Sequence, residues 1–287
     1  MEADVVNIIN DMAKKASSIV PTEDGDYIGD NGLMHCGKCH TAKQYRLEIF
    51  GKTSVVGVLC KCEKERQDAE ELARKIQEEK DRIRRMKATC IHDKSLVDST
   101  FEKDDGSLPQ IASAKRYVDT WSDRKANNDG LLLWGDVGTG KTFYAACIAN
   151  ALIEQGVSVL MTNFAKILNS LCGLYAEEKN EFVASLMKYS LLVIDDFGIE
   201  RNTEYALEQV YNVIDERYKS GLPLIVTTNL SLNSLKNPPD TAHQRIYDRV
   251  LAMCVPVRFA GINHRKQDAE NKLRGCRDLF ITSDDQM

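Results

Sequence analysis

The sequence Gly-Asp-Val-Gly-Thr-Gly-Lys-Thr at residues 135–142 fits the G-x-x-x-x-G-K-T pattern of a phosphate-binding loop, and a hydrophobic run at 131–134 predicts the strand that it leaves. The glycines let successive backbone N–H groups turn towards the β- and γ-phosphates of a nucleoside triphosphate, and the following helix points its positive dipole end at the same anion. Lys141 adds a positive charge, and Thr142 adds a hydroxyl ligand for Mg²⁺. The predicted nucleotide-binding residues are Gly135, Asp136, Val137, Gly138, Thr139, Gly140, Lys141 and Thr142.

Two carboxylates follow a second hydrophobic run. Residues 191–194 are aliphatic and lead directly into Asp195 and Asp196, a pattern typical of a buried parallel strand whose carboxyl end reaches a bound metal. This Walker B pattern predicts that Asp195 holds Mg²⁺, directly or through water. Asp196 would orient or deprotonate the attacking water, which related enzymes more often do with glutamate. Because aspartate is one methylene shorter, slow turnover is expected.

Further candidate catalytic residues follow a third hydrophobic run and lie in a later helical segment. Asn229 follows the run 224–228, where it is expected to sense the γ-phosphate or the attacking water. Arg245 and Arg249 are four residues apart, so a helix places them on one face. An arginine directed at a neighbouring subunit's nucleotide contributes roughly 10³ to 10⁵ in rate. The predicted catalytic residues are Lys141, Asp195, Asp196, Asn229, Arg245 and Arg249.

Cysteines near the amino terminus have the spacing of metal ligands. Four of the nine fit C-x2-C-x20-C-x-C, with an alternating hydrophobic run and a turn at Gly51 between the pairs. Such a β-hairpin brings two thiolate pairs together, and four sulfurs satisfy a tetrahedral Zn²⁺ in a module too small for its own core. The predicted zinc ligands are Cys36, Cys39, Cys60 and Cys62. Because the second pair is tighter than C-x2-C, replacement of one thiolate by His35 or His40 remains open.

The elements that must position these residues alternate from residue 130 onward. Strands are predicted at 131–134, 158–162, 191–194, 223–227 and 255–259. One helix is predicted at 141–154, more than one between 164 and 190, and another at 204–220. This alternation predicts an α/β fold with a parallel sheet covered by helices on both faces.

Three domains are expected: a zinc-ribbon module at 1–62, a linker at 63–128 and a nucleotide-binding domain at 129–287. The linker begins with a densely charged helix that has acid–base pairs four residues apart, such as Glu71 and Lys75. Its thin apolar stripe leaves open a coiled coil with a partner. An amphipathic helix at 111–123 completes the approach to the third domain.

Composition limits the classes of function. The chain has 287 residues, of which 43% are hydrophobic and 28% charged, as in ordinary globular proteins. A net charge of -5 argues against a wholly basic nucleic-acid-binding surface, so any DNA contact must be local. The amino terminus lacks the basic region of a signal peptide, and no run of 18 apolar residues occurs. A cytoplasmic protein without membrane association is expected.

Four motifs, in this order and spacing, resemble those of the AAA+ ATPases of the DnaC/DnaI type, bacterial and phage loaders of the replicative helicase. The motifs are GDVGTGKT, LLVIDDFG followed by Ile199-Glu200, IVTTN, and RIYDRV, and the resemblance covers roughly residues 95–270. The cysteine module resembles the zinc-bearing, helicase-binding domain of the DnaI branch. The resemblance implies a P-loop AAA+ sheet with a reduced helical lid, bound ATP and Mg²⁺, and self-association into a ring or spiral.

The resemblance also implies roles for individual arginines. By position, Arg249 is the favoured finger that serves the adjacent subunit's site, with Arg245 close behind. Arg265 follows the last core strand, where the family carries a second sensor arginine that contacts the nucleotide.

Four functions remain to be separated. A helicase loader would bind the hexameric replicative helicase through the zinc module and contact single-stranded DNA through the nucleotide-binding domain. The IstB-type ATPase helper of a transposase has nearly the same core, but the cysteine ribbon argues against it. A small-molecule kinase would need an acceptor pocket and lid arginines. The fourth candidate is a nucleotide-gated adaptor with negligible turnover. Measuring ATP hydrolysis with and without single-stranded DNA would distinguish such an adaptor from an active ATPase.

Overall fold

The computed structural model describes residues 23–49, 52–104, 106, 109–198, 203–261 and 263–280. Three predicted features lie outside these residues: the amino-terminal helix, the hairpin turn at Gly51, and the pair Ile199-Glu200. The chain divides into two compact units, Met1–Asp81 and Arg82–Met287. This division falls within a helix, and the expected boundaries at residues 62 and 128 stay predictions.

The first unit contains two small antiparallel sheets and the start of a long helix. Strand β1 (Tyr27–Ile28) pairs with β2 (Met34–His35), and β3 (Gln44–Ile49) pairs with β4 (Lys52–Gly57). Helix α1 (Lys61–Cys90) begins soon after β4. The hairpin therefore lies between the two cysteine pairs as expected, but the second pair lies at the beginning of a helix.

Helix α1 is charged along its length, as its sequence predicts. Lys75 Nζ lies 2.7 Å from Glu71 Oε1, and Arg74 Nε lies 3.6 Å from a carboxylate oxygen of Glu78. Because these side chains are exposed, each pair stabilises the helix by only about 0.3–0.5 kcal/mol. Leu72 and Ile76 are also exposed, and the coiled-coil alternative stays a prediction.

The second unit is built on a five-stranded parallel sheet with strand order β6-β7-β8-β5-β9. Its strands are β5 (Gly130–Gly135), β6 (Val159–Asn163), β7 (Leu191–Phe197), β8 (Leu224–Thr228) and β9 (Cys254–Phe259). The apolar parts of the central strands are buried, as expected for a parallel sheet covered on both faces. The predicted α/β class and strand positions are confirmed.

Helices pack against both faces of this sheet. They are α2 (Ile111–Asp119), α3 (Trp121–Ala126), α4 (Lys141–Glu154), α5 (Phe164–Leu171), α6 (Ala176–Leu186), α7 (Glu204–Ser220), α8 (Leu232–Lys236) and α9 (Thr241–Met253). Helix α10 (His264–Phe280) follows β9. Leu131 and Leu133 of β5 join a core with α4, whereas Leu132 joins the core with α7 and α9. Alternate side chains of one strand thus serve the two layers. Within the described ranges, no helix is both long and apolar enough to cross a membrane.

The helix expected at 111–123 is two helices separated by Thr120. The backbone of Thr120 leaves the helical region, with φ -102° and ψ 24°. Its hydroxyl donates to the Arg116 carbonyl at 2.8 Å and accepts from Arg124 Nε at 3.2 Å. Threonine hydroxyls compete in this way with helical hydrogen bonds, so the prediction of one continuous helix was wrong.

The buried guanidinium of Arg217 joins the starts of two strands. It donates to the carbonyls of Tyr189 (2.9 Å), Ser190 (3.0 Å) and Pro223 (3.2 Å), which precede β7 and β8. Arg217 is fully buried, and burial lowers its pKa to about 10. The Pro223 carbonyl also accepts a longer bond from Leu192 N–H at 3.4 Å, so the guanidinium supplements the backbone donors at these strand starts.

Arg217→Met is expected to destabilise the second unit by about 3 kcal/mol, because three carbonyls lose the hydrogen bonds that the buried guanidinium donates. For a unit of this size the melting temperature would fall by about 10 °C. Differential scanning calorimetry measures this fall, with Arg116→Met, at an exposed position of α2, as a control that leaves the temperature unchanged. A wild-type melting temperature for Arg217→Met would contradict the assigned role.

Candidate functional site

The phosphate-binding loop leaves β5 and enters α4 as predicted. Gly135 and Gly138 have φ values of 138° and 80°, in the region that favours glycine. A Cβ atom on Gly135 would overlap the Phe259 carbonyl of neighbouring β9, and one on Gly138 would overlap the Asn263 side chain. Gly135 is therefore required by backbone angle and by close packing against backbone, and Gly138 by backbone angle.

Lys141, the first residue of α4, lies within the loop. Its side chain is buried, and Nζ donates to the carbonyls of Gly135 (2.8 Å) and Asp136 (2.6 Å). Burial lowers the pKa of Lys141, and the nearby carboxylate of Asp196 opposes that shift. The ammonium is thus held inside the loop by two neutral acceptors, which a phosphate oxygen can replace.

Thr142 and Asp195 come together at the carboxyl end of the sheet. Thr142 Oγ1 donates to Asp195 Oδ1 at 2.9 Å, and Thr227 Oγ1 donates to the same oxygen at 2.6 Å. Burial raises the pKa of Asp195, while the two hydroxyls lower it. A partly buried carboxylate beside a hydroxyl is an oxygen donor set that fits Mg²⁺. The predicted proximity of these two residues is present in the structure.

Asp195 and Asp196 lie at an irregularity in β7 that the sequence did not reveal. Ile194 pairs with Val226 and Phe197 with Thr228, so both aspartates face the single residue Thr227. Asp196 has φ 54°, and its N–H donates to Thr227 Oγ1 at 2.9 Å. The strand thus continues beyond the expected end at 194. Such a β-bulge redirects side chains, and here both carboxylates line one cleft.

This cleft is the candidate nucleotide site, with a volume of about 530 Å³. It brings together Val137–Thr142 of the loop, both aspartates, Asn229 and Arg265. The expected sensor positions therefore share one cleft with the phosphate-binding loop. The backbone of α10 also touches the loop, because His264 N–H donates to the Gly138 carbonyl at 3.0 Å.

One wall of the cleft was missed by sequence reasoning. It is formed by residues that precede the sheet in the chain, together with three later residues: Asp93, Ser95, Leu96, Lys103, Asp104, Phe143, His264 and Asp268. The early residues belong to two short 3₁₀ turns, and their spacing matches no nucleotide-binding pattern. Only the fold brings this segment beside the loop.

The two helical arginines lie outside the set that lines the cleft. Arg245 is exposed on α9. Arg249, one turn later, is partly buried and donates to Asp215 Oδ1 at 2.6 Å and to the Tyr211 hydroxyl at 2.9 Å. The assignment of a finger to either residue stays a prediction.

The four predicted zinc ligands form one cluster in the first unit. Their Sγ atoms all lie within 4.8 Å of one another, and Cys62 Sγ is 3.5 Å from Cys36 and 3.4 Å from Cys60. A tetrahedral zinc with bonds of about 2.3 Å requires sulfur separations of about 3.8 Å, so the geometry fits. Among the described residues this cluster includes neither histidine. His35 Nδ1 instead lies 2.9 Å from the Leu33 carbonyl oxygen.

The charges of this cluster also favour a cation. Hydrogen bonding to neighbouring thiols, chiefly Cys60, raises the pKa of Cys62 to about 12. The Thr41 hydroxyl lowers the pKa of Cys39 to about 5. Adjacent thiolates repel one another, so a divalent ion is needed to hold all four sulfurs deprotonated together.

Asp195→Asn is expected to raise the melting temperature of the nucleotide-free protein by about 3 °C. When folding raises the pKa of a carboxyl, keeping that carboxyl ionised at a pH above the raised pKa lowers the free energy of unfolding. Asparagine removes the buried charge and should therefore raise the free energy of unfolding by about 1 kcal/mol. It keeps an oxygen that accepts the two threonine hydroxyls. The same variant should gain less stability from Mg²⁺ and ATP than wild type. Thermal scans at pH 7 with and without both ligands measure this, and an unchanged ligand response would contradict the metal role.

The chain is similar to one protein family and to two named relatives. A family model described as IstB-like ATP binding protein matches residues 61–272. The replicative helicase loader DnaI of Bacillus subtilis is 27% identical over 206 residues, which cover 67% of this chain and 66% of that protein. An ATP-binding protein in an insertion sequence of Mycobacterium tuberculosis is 25% identical over 163 residues, 56% of this chain and 62% of that protein. The chain thus spans less than two thirds of the length of these relatives.

A solved structure supports the fold. The crystal structure of the DnaC helicase loader superposes with a TM-score of 0.50 and 22% identity, covering 58% of this chain and all of that chain. At this level of identity the likeness concerns the fold alone, an AAA+-like parallel sheet with flanking helices.

Proposed function

Because the chain belongs to the IstB-like ATP-binding protein family, we propose that it loads the replicative DNA helicase onto single-stranded DNA. ATP and Mg²⁺ bind in the cleft of the second unit, and the four-cysteine module of the first unit binds zinc and the hexameric helicase. Copies of the chain associate into a ring or spiral, in which hydrolysis takes place at the interfaces between subunits.

The residues of the cleft have distinct roles in this proposal. Lys141 and the loop N–H groups bind the β- and γ-phosphates, and Arg265 adds a second cation to the cleft. Thr142 and Asp195 hold Mg²⁺, which neutralises charge on the phosphate oxygens when bound. Asp196 positions the attacking water and accepts its proton, while Asn229 orients the water or the γ-phosphate.

Slow hydrolysis, stimulated by a partner or DNA, fits this arrangement. Each subunit supplies the loop, the metal ligands and the base, but the helical arginines lie outside its own cleft. An arginine from the next subunit must then stabilise the transition state, so turnover depends on assembly.

The four-thiol cluster is the observation that most favours a helicase loader. A zinc-stabilised module separate from the ATP cleft provides a second recognition surface, which an ATPase that delivers a partner protein requires. The family match begins at residue 61, after three of the four cysteines. The match to the named helicase loader is also longer than the match to the insertion-sequence protein.

A second candidate is an ATPase that assists a transposase, as supported by the match to the insertion-sequence protein. In this case the second unit would act in the same way, and the partner would be a transposase. The two functions therefore differ in the partner rather than in the nucleotide chemistry.

Size-exclusion chromatography with the purified replicative helicase from the same organism tests the proposal. Wild type and the control Cys172→Ser, which changes an exposed thiol outside the cluster, should co-elute with the helicase. Cys36→Ser should elute separately. Equal co-elution of all three would remove the zinc module from helicase binding, and no co-elution of wild type would favour the transposase partner.

A further inference from the structure

We infer that Thr227 is a positioning residue, whose single hydroxyl sets the directions of both carboxylates in the cleft. The inference rests on the proposed function, which assigns Asp195 to the metal and Asp196 to the attacking water. Within the part of the chain that the structure describes, Thr227 is not among the residues that line the cleft. It therefore acts through the two aspartates and not on the nucleotide itself.

Thr227 lies in β8, between the strand that leads into the phosphate-binding loop and the strand that carries the aspartates. It pairs with Leu133 of β5 on one side and faces the irregularity of β7 on the other. The residue is completely buried. Because a buried hydroxyl is costly unless it is hydrogen-bonded, its partners indicate what it does.

The Thr227 hydroxyl contacts both aspartates at once. Its oxygen accepts from Asp196 N–H at 2.9 Å, and the hydroxyl donates to Asp195 Oδ1 at 2.6 Å. A hydroxyl has one proton, and with the Asp196 N–H directed at the oxygen, that proton points to Asp195. One contact therefore orients a carboxylate, and the other orients the backbone from which the second carboxylate projects.

The contact with Asp195 determines which carboxylate oxygen stays available. Both hydrogen bonds that the described residues donate to this side chain end on Oδ1, from Thr227 and from Thr142 at 2.9 Å. Two donors on one oxygen restrict rotation of the carboxylate and leave Oδ2 available to a cation. Thr142 belongs to the loop helix, whereas Thr227 belongs to the sheet, so the Thr227 contact does not depend on the conformation of the loop.

The contact with Asp196 holds an uncommon backbone angle. Asp196 has φ 54°, which residues with a side chain adopt only when their surroundings hold them there. A β-bulge also takes one residue out of the regular hydrogen-bond ladder. Thr227 Oγ1 supplies an acceptor for the N–H of that residue. Without this acceptor, Asp196 can relax towards an ordinary angle and turn its carboxylate away from the cleft.

The neighbouring Thr228 provides a matched control. It is equally buried in the same strand, and its hydroxyl donates to the Phe197 carbonyl at 2.6 Å and accepts from Leu230 N–H at 3.1 Å. These contacts involve backbone groups alone. Thr228→Val therefore removes a buried hydroxyl from β8 without removing a contact of either aspartate.

Hydrogen exchange at the Asp196 amide tests the attachment independently of ATP. Thr227→Val should increase the exchange rate of this amide by about tenfold or more, because its acceptor is lost. Thr227→Ser, which keeps the hydroxyl, and Thr228→Val should both stay within about threefold of wild type. NMR of the nucleotide-free protein measures these rates. An unchanged rate in Thr227→Val would overturn the inference.

Titration of Mg²⁺ in the presence of a fluorescent ATP analogue tests the effect on Asp195. Thr227→Val should raise the Mg²⁺ concentration at half-saturation about tenfold, because residues that orient a metal ligand typically contribute 10–100-fold to affinity. Thr227→Ser should restore the wild-type value within about threefold. Thr228→Val should also match wild type, although its melting temperature falls. Equal shifts in Thr227→Val and Thr228→Val would leave Thr227 with a structural role only.

Turnover at saturating ATP and Mg²⁺ tests the effect on Asp196. With single-stranded DNA and helicase present, Thr227→Val should lose about 100-fold in kcat while its ATP affinity stays within about threefold of wild type. Thr227→Ser should regain most of this loss. Wild-type kcat in Thr227→Val would overturn the role at Asp196. A wild type that binds ATP but never hydrolyses it would instead refute the proposed ATPase function, and the exchange and Mg²⁺ measurements would still decide the role of Thr227.

Discussion

Lys141→Met is expected to weaken ATP binding by about 100-fold or more, equivalent to about 3 kcal/mol, as titration with a fluorescent ATP analogue measures. Methionine keeps the apolar stem of the side chain but removes the charge inside the loop. Wild-type Lys141 already hydrogen-bonds the Gly135 and Asp136 carbonyls, so its ammonium is positioned before the nucleotide arrives. Little of its binding energy is then lost to ordering a flexible side chain.

A matched control separates the loop lysine from general positive charge in the cleft. Lys103 lines the same cleft but is exposed, so Lys103→Met should change affinity by less than about tenfold. The melting temperature of nucleotide-free Lys141→Met should remain within about 3 °C of wild type, because loss of two hydrogen bonds is offset by loss of a buried charge. Equal losses of ATP affinity in both variants would show that positive charge in the cleft, rather than the position of Lys141 in the loop, accounts for the effect.

Cys36→Ser is expected to abolish stoichiometric zinc binding and to unfold the described part of the first unit. Structural zinc sites contribute about 10–16 kcal/mol of apparent binding free energy in small modules, and that energy is folding energy. The described residues of the first unit form two small sheets and the start of an exposed, charged helix, so zinc is expected to supply much of their stability. Metal analysis and limited proteolysis of residues 23–60 measure the two effects.

The second unit provides the internal control for this experiment. ATP affinity should be unchanged in Cys36→Ser, because all residues that line the cleft belong to the second unit. Cys172→Ser should retain zinc and resist proteolysis like wild type. Retention of one zinc per chain in Cys36→Ser would show that the cluster needs fewer than four thiolates or that the metal binds elsewhere.

The sheet and the centre of the cleft were predictable because short-range patterns determine them. Five hydrophobic runs alternating with helical segments indicate a parallel sheet, and the carboxyl ends of its strands lie at one edge. Thr142 and Asp195 were therefore expected to meet although 53 positions separate them. Their hydrogen bond follows from the topology rather than from local sequence.

Features that depend on contacts between distant side chains were not predictable. The contact of Arg249 with Asp215 was not expected, because the spacing between Arg245 and Arg249 says nothing of a residue 34 positions earlier. The wall of the cleft at 93–104 was missed for the same reason.

In the cysteine module, the tight second pair has a structural explanation, because Cys60 precedes α1 and Cys62 lies in its first turn. A helical start brings residues two apart close enough for their sulfurs to lie 3.4 Å apart.

The bulge at Asp195 and Asp196 has a consequence for protein engineering. A left-handed backbone angle costs an aspartate roughly 1 kcal/mol relative to glycine, and a bare carboxylate beside another one adds repulsion. A laboratory screen that selected heat-resistant variants alone would therefore favour glycine at position 196. Under the proposed role of Asp196, such a screen would enrich proteins that still bind ATP but no longer cleave it, so thermal selection on this scaffold needs a simultaneous assay of turnover.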